Sequence, residues 1–168
     1  MARPIPPQPA EVYLEIGAIY FGQAGTRITT LLGSCVALTF WHPTLRVGGM
    51  CHCLLPSRRN GQPPLDGKYV DEAVQLLLNA MAKCRRPVSE YQVKLFGAGN
   101  MFPSIVGSGP QVDVAGRNAE AAREKAASLG LQIVAEDTGG WGHRKVVFDL
   151  ASGHVWVRHE RINNRRMK

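Results

Sequence analysis

Cys35 and His52 are the residues of this sequence best suited to chemistry. Cys35 closes Leu32-Gly33-Ser34-Cys35, a glycine-containing entry to the apolar run Cys35–Trp41, which reads as a strand. On its own, a cysteine in an apolar run is a small buried hydrophobe as readily as a nucleophile. His52 shifts that balance. Its surroundings, Gly48-Gly49-Met50-Cys51-His52-Cys53-Leu54-Leu55-Pro56, hold almost no other polar side chain, so the imidazole is either a satisfied core residue or a functional base. If Cys35–Trp41 and Val47–Leu55 form a hairpin around Pro43, Cys35 opposes the distal half of the second strand, where His52 lies. A thiol and an imidazole brought together form the minimal apparatus of thiol catalysis. The imidazole takes the thiol proton, stabilises the thiolate and later protonates a leaving amine.

Cys51-His52-Cys53 also invites a metal reading. Alternation along a strand opposes it, because Cys51 and Cys53 face one side and His52 the other. Structural zinc sites also favour C-x₂₋₄-C pairs, and Cys35, Cys51, Cys53 and Cys84 form no CxxC. Neither a metal nor a cofactor is expected. Gly97-Ala98-Gly99-Asn100 follows a strand but leads into Met101-Phe102-Pro103, so it lacks the helix N-terminus that a dinucleotide loop requires. Thr138-Gly139-Gly140-Trp141-Gly142 lacks the Lys-Ser/Thr ending of a phosphate loop. Both glycine clusters read as tight backbone positions beside a pocket or turn.

The elements that must carry these residues fit one domain of 168 residues. At 45% hydrophobic and 20% charged, the chain has the composition of a globular domain, not of a disordered segment or coiled coil. No apolar run reaches the span of a membrane helix, and the proline-rich N-terminus lacks the apolar region of a secretory signal. A cytoplasmic protein with reduced thiols is therefore expected. Residues 1–10 read as an extended arm, 11–158 as the domain and 159–168 as a basic tail. Short apolar runs at Tyr13–Phe21, Arg27–Leu32, Cys35–Trp41, Val47–Leu55, Tyr91–Phe96 and Leu131–Ala135 read as strands. Val146–Leu150 and His154–Val157 form a hairpin around Ser152-Gly153. Val70, Ala73, Val74, Leu77, Leu78 and Met81 recur at helical spacing, and an Ala-rich helix capped by Asn118 ends at Gly130. Seven or eight strands with two helices make the fold α+β.

The net charge of +7 is concentrated in the tail, where Arg158, Arg161, Arg165, Arg166 and Lys168 face only Glu160. Such a tail can meet an acidic partner, a membrane surface or nucleic acid. No aromatic residues interleave with it as stacking platforms, so it reads as a solvated terminus, with neither nucleic-acid binding nor membrane insertion expected.

Several blocks, taken in order, resemble the chemoreceptor glutamine deamidase family (CheD). They are Leu32-Gly33-Ser34-Cys35-Val36-Ala37, Gly48-Gly49-Met50-x-His52-x-x-Leu55-Pro56, and Lys68-Tyr69-x-Asp71. Further along come Phe96-Gly97-x-Gly99-x-Met101-Phe102, Gly116-Arg117-Asn118, and Glu136-Asp137-x-Gly139-Gly140. The resemblance covers residues 12 to 158. It implies hydrolysis of glutamine side-chain amides in bacterial receptor helices, and a layered α/β/β/α sandwich of mostly antiparallel strands, similar to deamidating toxins. It implies Cys35 as nucleophile and His52 as base. The orienting threonine lies six residues before the cysteine, at Thr29, with Thr30 beside it. It further implies a regulatory phosphatase partner; a monomer is expected. Cys51 and Cys53 depart from the family pattern and read as packing residues, and His143 reads as a turn residue. The loop Ser104–Val114 is expected to touch a partner or substrate. The alternative function is a non-catalytic protein that docks on receptors or on the phosphatase.

Overall fold

Val36-Ala-Leu-Thr-Phe-Trp-His42 is apolar in almost every position, the pattern of a strand buried on both faces, and it forms the centre of the molecule. The computed structural model describes residues 3–58, 60–101 and 113–162. Along the chain these form β1 (Ala10–Tyr13), β2 (Ile19–Gln23), β3 (Thr26–Leu32), β4 (Val36–His42), β5 (Val47–Cys51), α1 (Val70–Met81) and β6 (Gln92–Gly97). There follow α2 (Val114–Ser128), β7 (Ile133–Thr138), β8 (His143–Asp149) and β9 (Val155–Glu160). Two sheets result, one in the order β2-β5-β4-β6-β7 and one in the order β1-β3-β8-β9. Among the described strands the β1–β3 and β6–β7 pairs are parallel and the rest antiparallel.

Alternation along β4 divides the core in two. Val36, Leu38 and Phe40 join Val74, Leu77 and Met81 of α1 and Ala115, Ala119 and Ala122 of α2. Ala37 faces the other sheet, in a cluster with Cys35, Met50, Ile28, Leu32, Val146 and Phe148. The α+β sandwich and its two helices agree with the sequence reading. Both helices lie on the five-stranded sheet. Among the described residues the layers are therefore helices, sheet, sheet, and no helix covers the outer face of the four-stranded sheet.

Three local expectations change. Tyr13–Phe21 is not one strand: β1 and β2 belong to different sheets, and Leu14–Ala18 crosses between them, with Gly17 at φ +82° and Leu14 buried. That crossing accounts for the ninth strand. The second helix starts four residues before Asn118, because Asp113 is its N-cap and its carboxylate accepts from the Gly116 N–H. Asn118 lies inside the helix. Helix α1 runs to Met81 and continues to Cys84 as one tight turn, and Gly130 takes the left-handed conformation expected after α2. His143 opens β8 opposite Glu160 instead of sitting in a turn. Loop residues Phe102–Val112 and tail residues Asn163–Lys168 lie outside the described residues, as do Met1, Ala2 and Arg59.

Candidate active site

The hairpin that carries the candidate pair forms as its sequence requires. In the β4–β5 register Thr39 opposes Met50 and Trp41 opposes Gly48, and beyond the strand Val36 and Cys53 exchange both backbone hydrogen bonds, at 3.0 and 2.8 Å. The same register sets Ala37 opposite His52. Cys35, two residues further on, shares the face of Ala37, so it is the diagonal neighbour of His52, a separation at the Cβ atoms of about 7–8 Å or somewhat less. That face looks into the space between the sheets. Cys51 and Cys53 point the other way, into the cluster under the helices, so Cys51, His52 and Cys53 do not converge.

His52 is held on every side. Its N–H donates to Ala18 O at 3.2 Å and its carbonyl accepts from Gly17 N at 2.8 Å, so the crossing segment grips its backbone. The residue is 3% exposed. Its Nδ1 lies 2.7 Å from Thr30 Oγ1 and 3.4 Å from Leu14 O. The Thr30 hydroxyl gives its one proton to Leu14 O at 2.7 Å, so toward His52 it can only accept. Nδ1 therefore carries the ring proton and donates, which leaves Nε2 as a bare lone pair. Nε2 is buried and has no hydrogen-bond partner among the described residues. Burial lowers the His52 pKa, against smaller raising contributions from Leu14 O and Glu15. A neutral imidazole at neutral pH, with an unprotonated Nε2, is a general base in its working state.

The hydroxyl on His52 belongs to Thr30, not to Thr29 as the sequence reading had it. Side chains alternate along β3: Ile28, Thr30 and Leu32 are buried between the sheets, whereas Thr29 is half-buried on the opposite face, beside Tyr13 and Val147 in neighbouring strands. The signal was available, since Thr30 is flanked at two-residue spacing by the apolar Ile28 and Leu32.

Cys35 lies at the turn between β3 and β4 and is 5% exposed. Burial raises its thiol pKa, partly offset by its own backbone N–H lying against the sulfur. In the resting arrangement it is therefore a neutral thiol beside a neutral base. The turn is held from outside. Gly33 O and Cys35 O accept from Gly99 N and Ala98 N at 2.9 and 2.8 Å. This close approach explains the glycine at position 97, where φ is +109° and a Cβ would stand 2.2 Å from Cys35 O. Behind that loop, buried Arg144 donates to Asp137 at 3.0 Å, Gly97 O at 3.2 Å and Gly139 O at 2.7 Å. The Asp137-x-Gly139-Gly140 block thus supports the loop that holds the Cys35 turn. Arg144 is not singled out from sequence, and Asn118, whose Nδ2 bonds Ser34 O and Leu54 O, reads there only as a helix cap. For Asn118 the buried stripe Ala115, Ala119, Ala122 and Ala126 gave the cue, because it places position 118 on the core face of α2.

Residues 54–159 match the family model described as CheD chemotactic sensory transduction. The chain belongs to the CheD family. That match begins just after His52, but the full-length relatives reach further. A protein of Pseudomonas savastanoi pv. phaseolicola is 49% identical over 152 residues, covering 90% of this chain and 85% of its own. One from Dechloromonas aromatica is 44% identical over 88% of this chain and 86% of its own, and one from Leptospira interrogans 35% over 88% and 91%. Each is named a probable chemoreceptor glutamine deamidase CheD. An alignment over 90% of this CheD-family chain necessarily spans positions 35 and 52.

Proposed function

We propose that the protein is a protein-glutamine deamidase that converts selected chemoreceptor glutamines to glutamate, with Cys35 as nucleophile and His52 as base and acid. Family membership and the relatives' names support the reaction. The observation that carries the residue roles is the proton chain Leu14 O, Thr30 hydroxyl, His52 Nδ1–H, which leaves a buried, unprotonated Nε2 on the face that Cys35 shares.

On this reading Nε2 takes the Cys35 proton as Sγ attacks the glutamine Cδ, and the amide oxygen becomes an oxyanion. The tetrahedral intermediate collapses as the imidazolium gives its proton to the departing nitrogen. Ammonia leaves and a γ-glutamyl thioester remains on Cys35. His52 then deprotonates water for attack on the thioester carbon. The C–S bond breaks and the imidazolium returns the proton to sulfur. The net reaction is amide plus water to acid plus ammonia, with no redox change, so it calls for no cofactor. Thr30 keeps the imidazole in one tautomer and one orientation throughout.

The same reading includes a cytoplasmic monomer and a regulatory phosphatase as docking partner, the latter supported by the resemblance. No helix among the described residues is long and apolar enough to cross a membrane. The test is ammonia release and peptide mass mapping on a receptor cytoplasmic fragment. Wild type should convert particular glutamines to glutamate and Cys35→Ser should not. Tight binding of the fragment with no conversion by the wild type would favour the docking alternative.

A further inference from the structure

At the nucleophile turn, three consecutive carbonyls are each engaged by a different donor. Gly33 O takes Gly99 N–H at 2.9 Å, Ser34 O takes Asn118 Nδ2 at 3.1 Å, and Cys35 O takes Ala98 N–H at 2.8 Å. The intervening N–H groups of Ser34 and Cys35 donate to no other residue's acceptor among the described residues. In a trans peptide the C=O and the N–H point in opposite directions. A carbonyl drawn toward α2 therefore turns the N–H of the same peptide away from α2, toward the space between the sheets where Cys35 is buried.

Asn118 is the residue that draws it. Its side chain is fully buried, and Nδ2 spends both hydrogens on carbonyls, Ser34 O at 3.1 Å and Leu54 O at 2.9 Å. The amide cannot be reversed, because Oδ1 would then face two carbonyl oxygens. Oδ1 itself is buried without a partner among the described residues. A buried unpaired oxygen is a cost to folding, and a residue that bears it is kept for its two donors. His52 does not depend on Asn118 for its place, since the Val36–Cys53 pair, Ala18 and Gly17 hold that segment separately.

We propose that Asn118 is a positioning residue for the oxyanion hole. By holding the Ser34 carbonyl it fixes the Ser34–Cys35 peptide so that the Cys35 N–H donates to the oxygen of the tetrahedral intermediate formed on the glutamine Cδ. The inference rests on Cys35 being the nucleophile. It goes further in assigning the donor that stabilises the developing charge and the residue that aims it. Preorganised N–H donors of this kind act where charge develops and not on the thiol itself.

That distinction supplies the test. Alkylation of Cys35 by iodoacetamide is a displacement at carbon; it needs the thiolate that His52 generates but forms no oxyanion. Asn118→Ala should lower kcat for receptor-fragment deamidation by about 100-fold, the scale of losing one oxyanion donor. KM and the Cys35 alkylation rate, followed by peptide mass spectrometry, should stay close to wild type. If Asn118→Ala does not fold, Asn118→Ser, which keeps a buried hydroxyl, takes its place with the same expectation at smaller amplitude. An unchanged kcat in a folded variant overturns the proposal. So does a parallel fall of deamidation and alkylation, which would mark a merely structural role. A wild-type enzyme whose Cys35 is not alkylated, or a Cys35→Ser variant that still deamidates, overturns the nucleophile assignment itself.

Discussion

Two cysteine environments lie on opposite faces of one hairpin, one peptide apart in register, and they differ in every respect that matters for chemistry. On the helix side, Cys53 donates to Cys51 at 3.5 Å in a fully packed cluster. That hydrogen bond lowers the Cys51 thiol pKa and raises that of Cys53, where burial adds to the rise. On the inter-sheet side, the Cys35 pKa is raised by burial. Ranked by acidity alone, Cys51 would be chosen as the reactive thiol. It is fully buried, and among the described residues its sulfur meets the Leu38 carbonyl and Cys53. Cys35 has a diagonal histidine with a bare Nε2 and a turn whose carbonyls are all drawn away. On the proposed reading, reactivity follows from what surrounds the sulfur during attack and not from the resting pKa of the thiol.

The comparison breaks most sharply at His52. His52→Gln keeps a polar side chain of similar reach but no base, and deamidation should fall by about 10²–10⁴-fold while the fold survives. Activity near wild type in that variant, measured by ammonia release, would mean that the inter-sheet side has no functional base.

Next in size is a contrast between adjacent threonines. Thr30→Val removes the nearer acceptor of the His52 Nδ1–H and leaves it the more distant Leu14 carbonyl, at 3.4 Å, with a lost hydrogen bond costing about 1 kcal/mol and a kcat loss that should exceed tenfold. Thr29→Val, on the other face of β3, should change kcat less than twofold. Kinetics and thermal unfolding on the pair of variants check this, and equal losses would undo the assignment of the orienting hydroxyl to Thr30.

The pH dependence sharpens the picture of a neutral pair. Activity needs His52 unprotonated and Cys35 protonated before attack. With the His52 pKa lowered, the acid limb of kcat/KM should fall below about pH 6.5; with the Cys35 pKa raised, the alkaline limb should lie above about pH 9. A broad plateau through neutral pH follows. A plateau that extends far into acid, as a preformed thiolate–imidazolium pair would give, contradicts it.

The smallest effects belong to the other face. Cys51→Ala and Cys53→Ala should leave deamidation within about threefold of wild type and cost stability, on the order of 1–2 kcal/mol for a small buried side chain. A large loss of kcat without loss of stability in either would show that the two faces are not separate.

Much of this arrangement was legible in the residues. Alternation separated His52 from Cys51 and Cys53, helical spacing located α1, and the two glycine clusters fell where backbones meet. The misreadings share one cause: the strand partners were unknown. Tyr13–Phe21 reads as a continuous run because nothing local says that Leu14 must leave one sheet and Ala18 enter another. Yet that crossing supplies the Leu14 carbonyl on which the His52 tautomer depends. Thr29 and Thr30 differ only in face, which β3 acquires when β1 and β8 fix its register. Asn118 has the residue type of a cap and is a cross-chain tether instead, a role that requires Ser34 and Leu54, 84 and 64 residues away, to converge on α2.

The most direct test of the central claim is acid-quenched mass spectrometry of the enzyme during turnover of a receptor cytoplasmic fragment. The Cys35 peptide should carry the receptor peptide as a hydroxylamine-sensitive thioester, with no adduct on Cys51, Cys53 or Cys84 and none in Cys35→Ser. Deamidation by Cys35→Ser, or turnover by wild type with a thioester on another cysteine, would contradict the account.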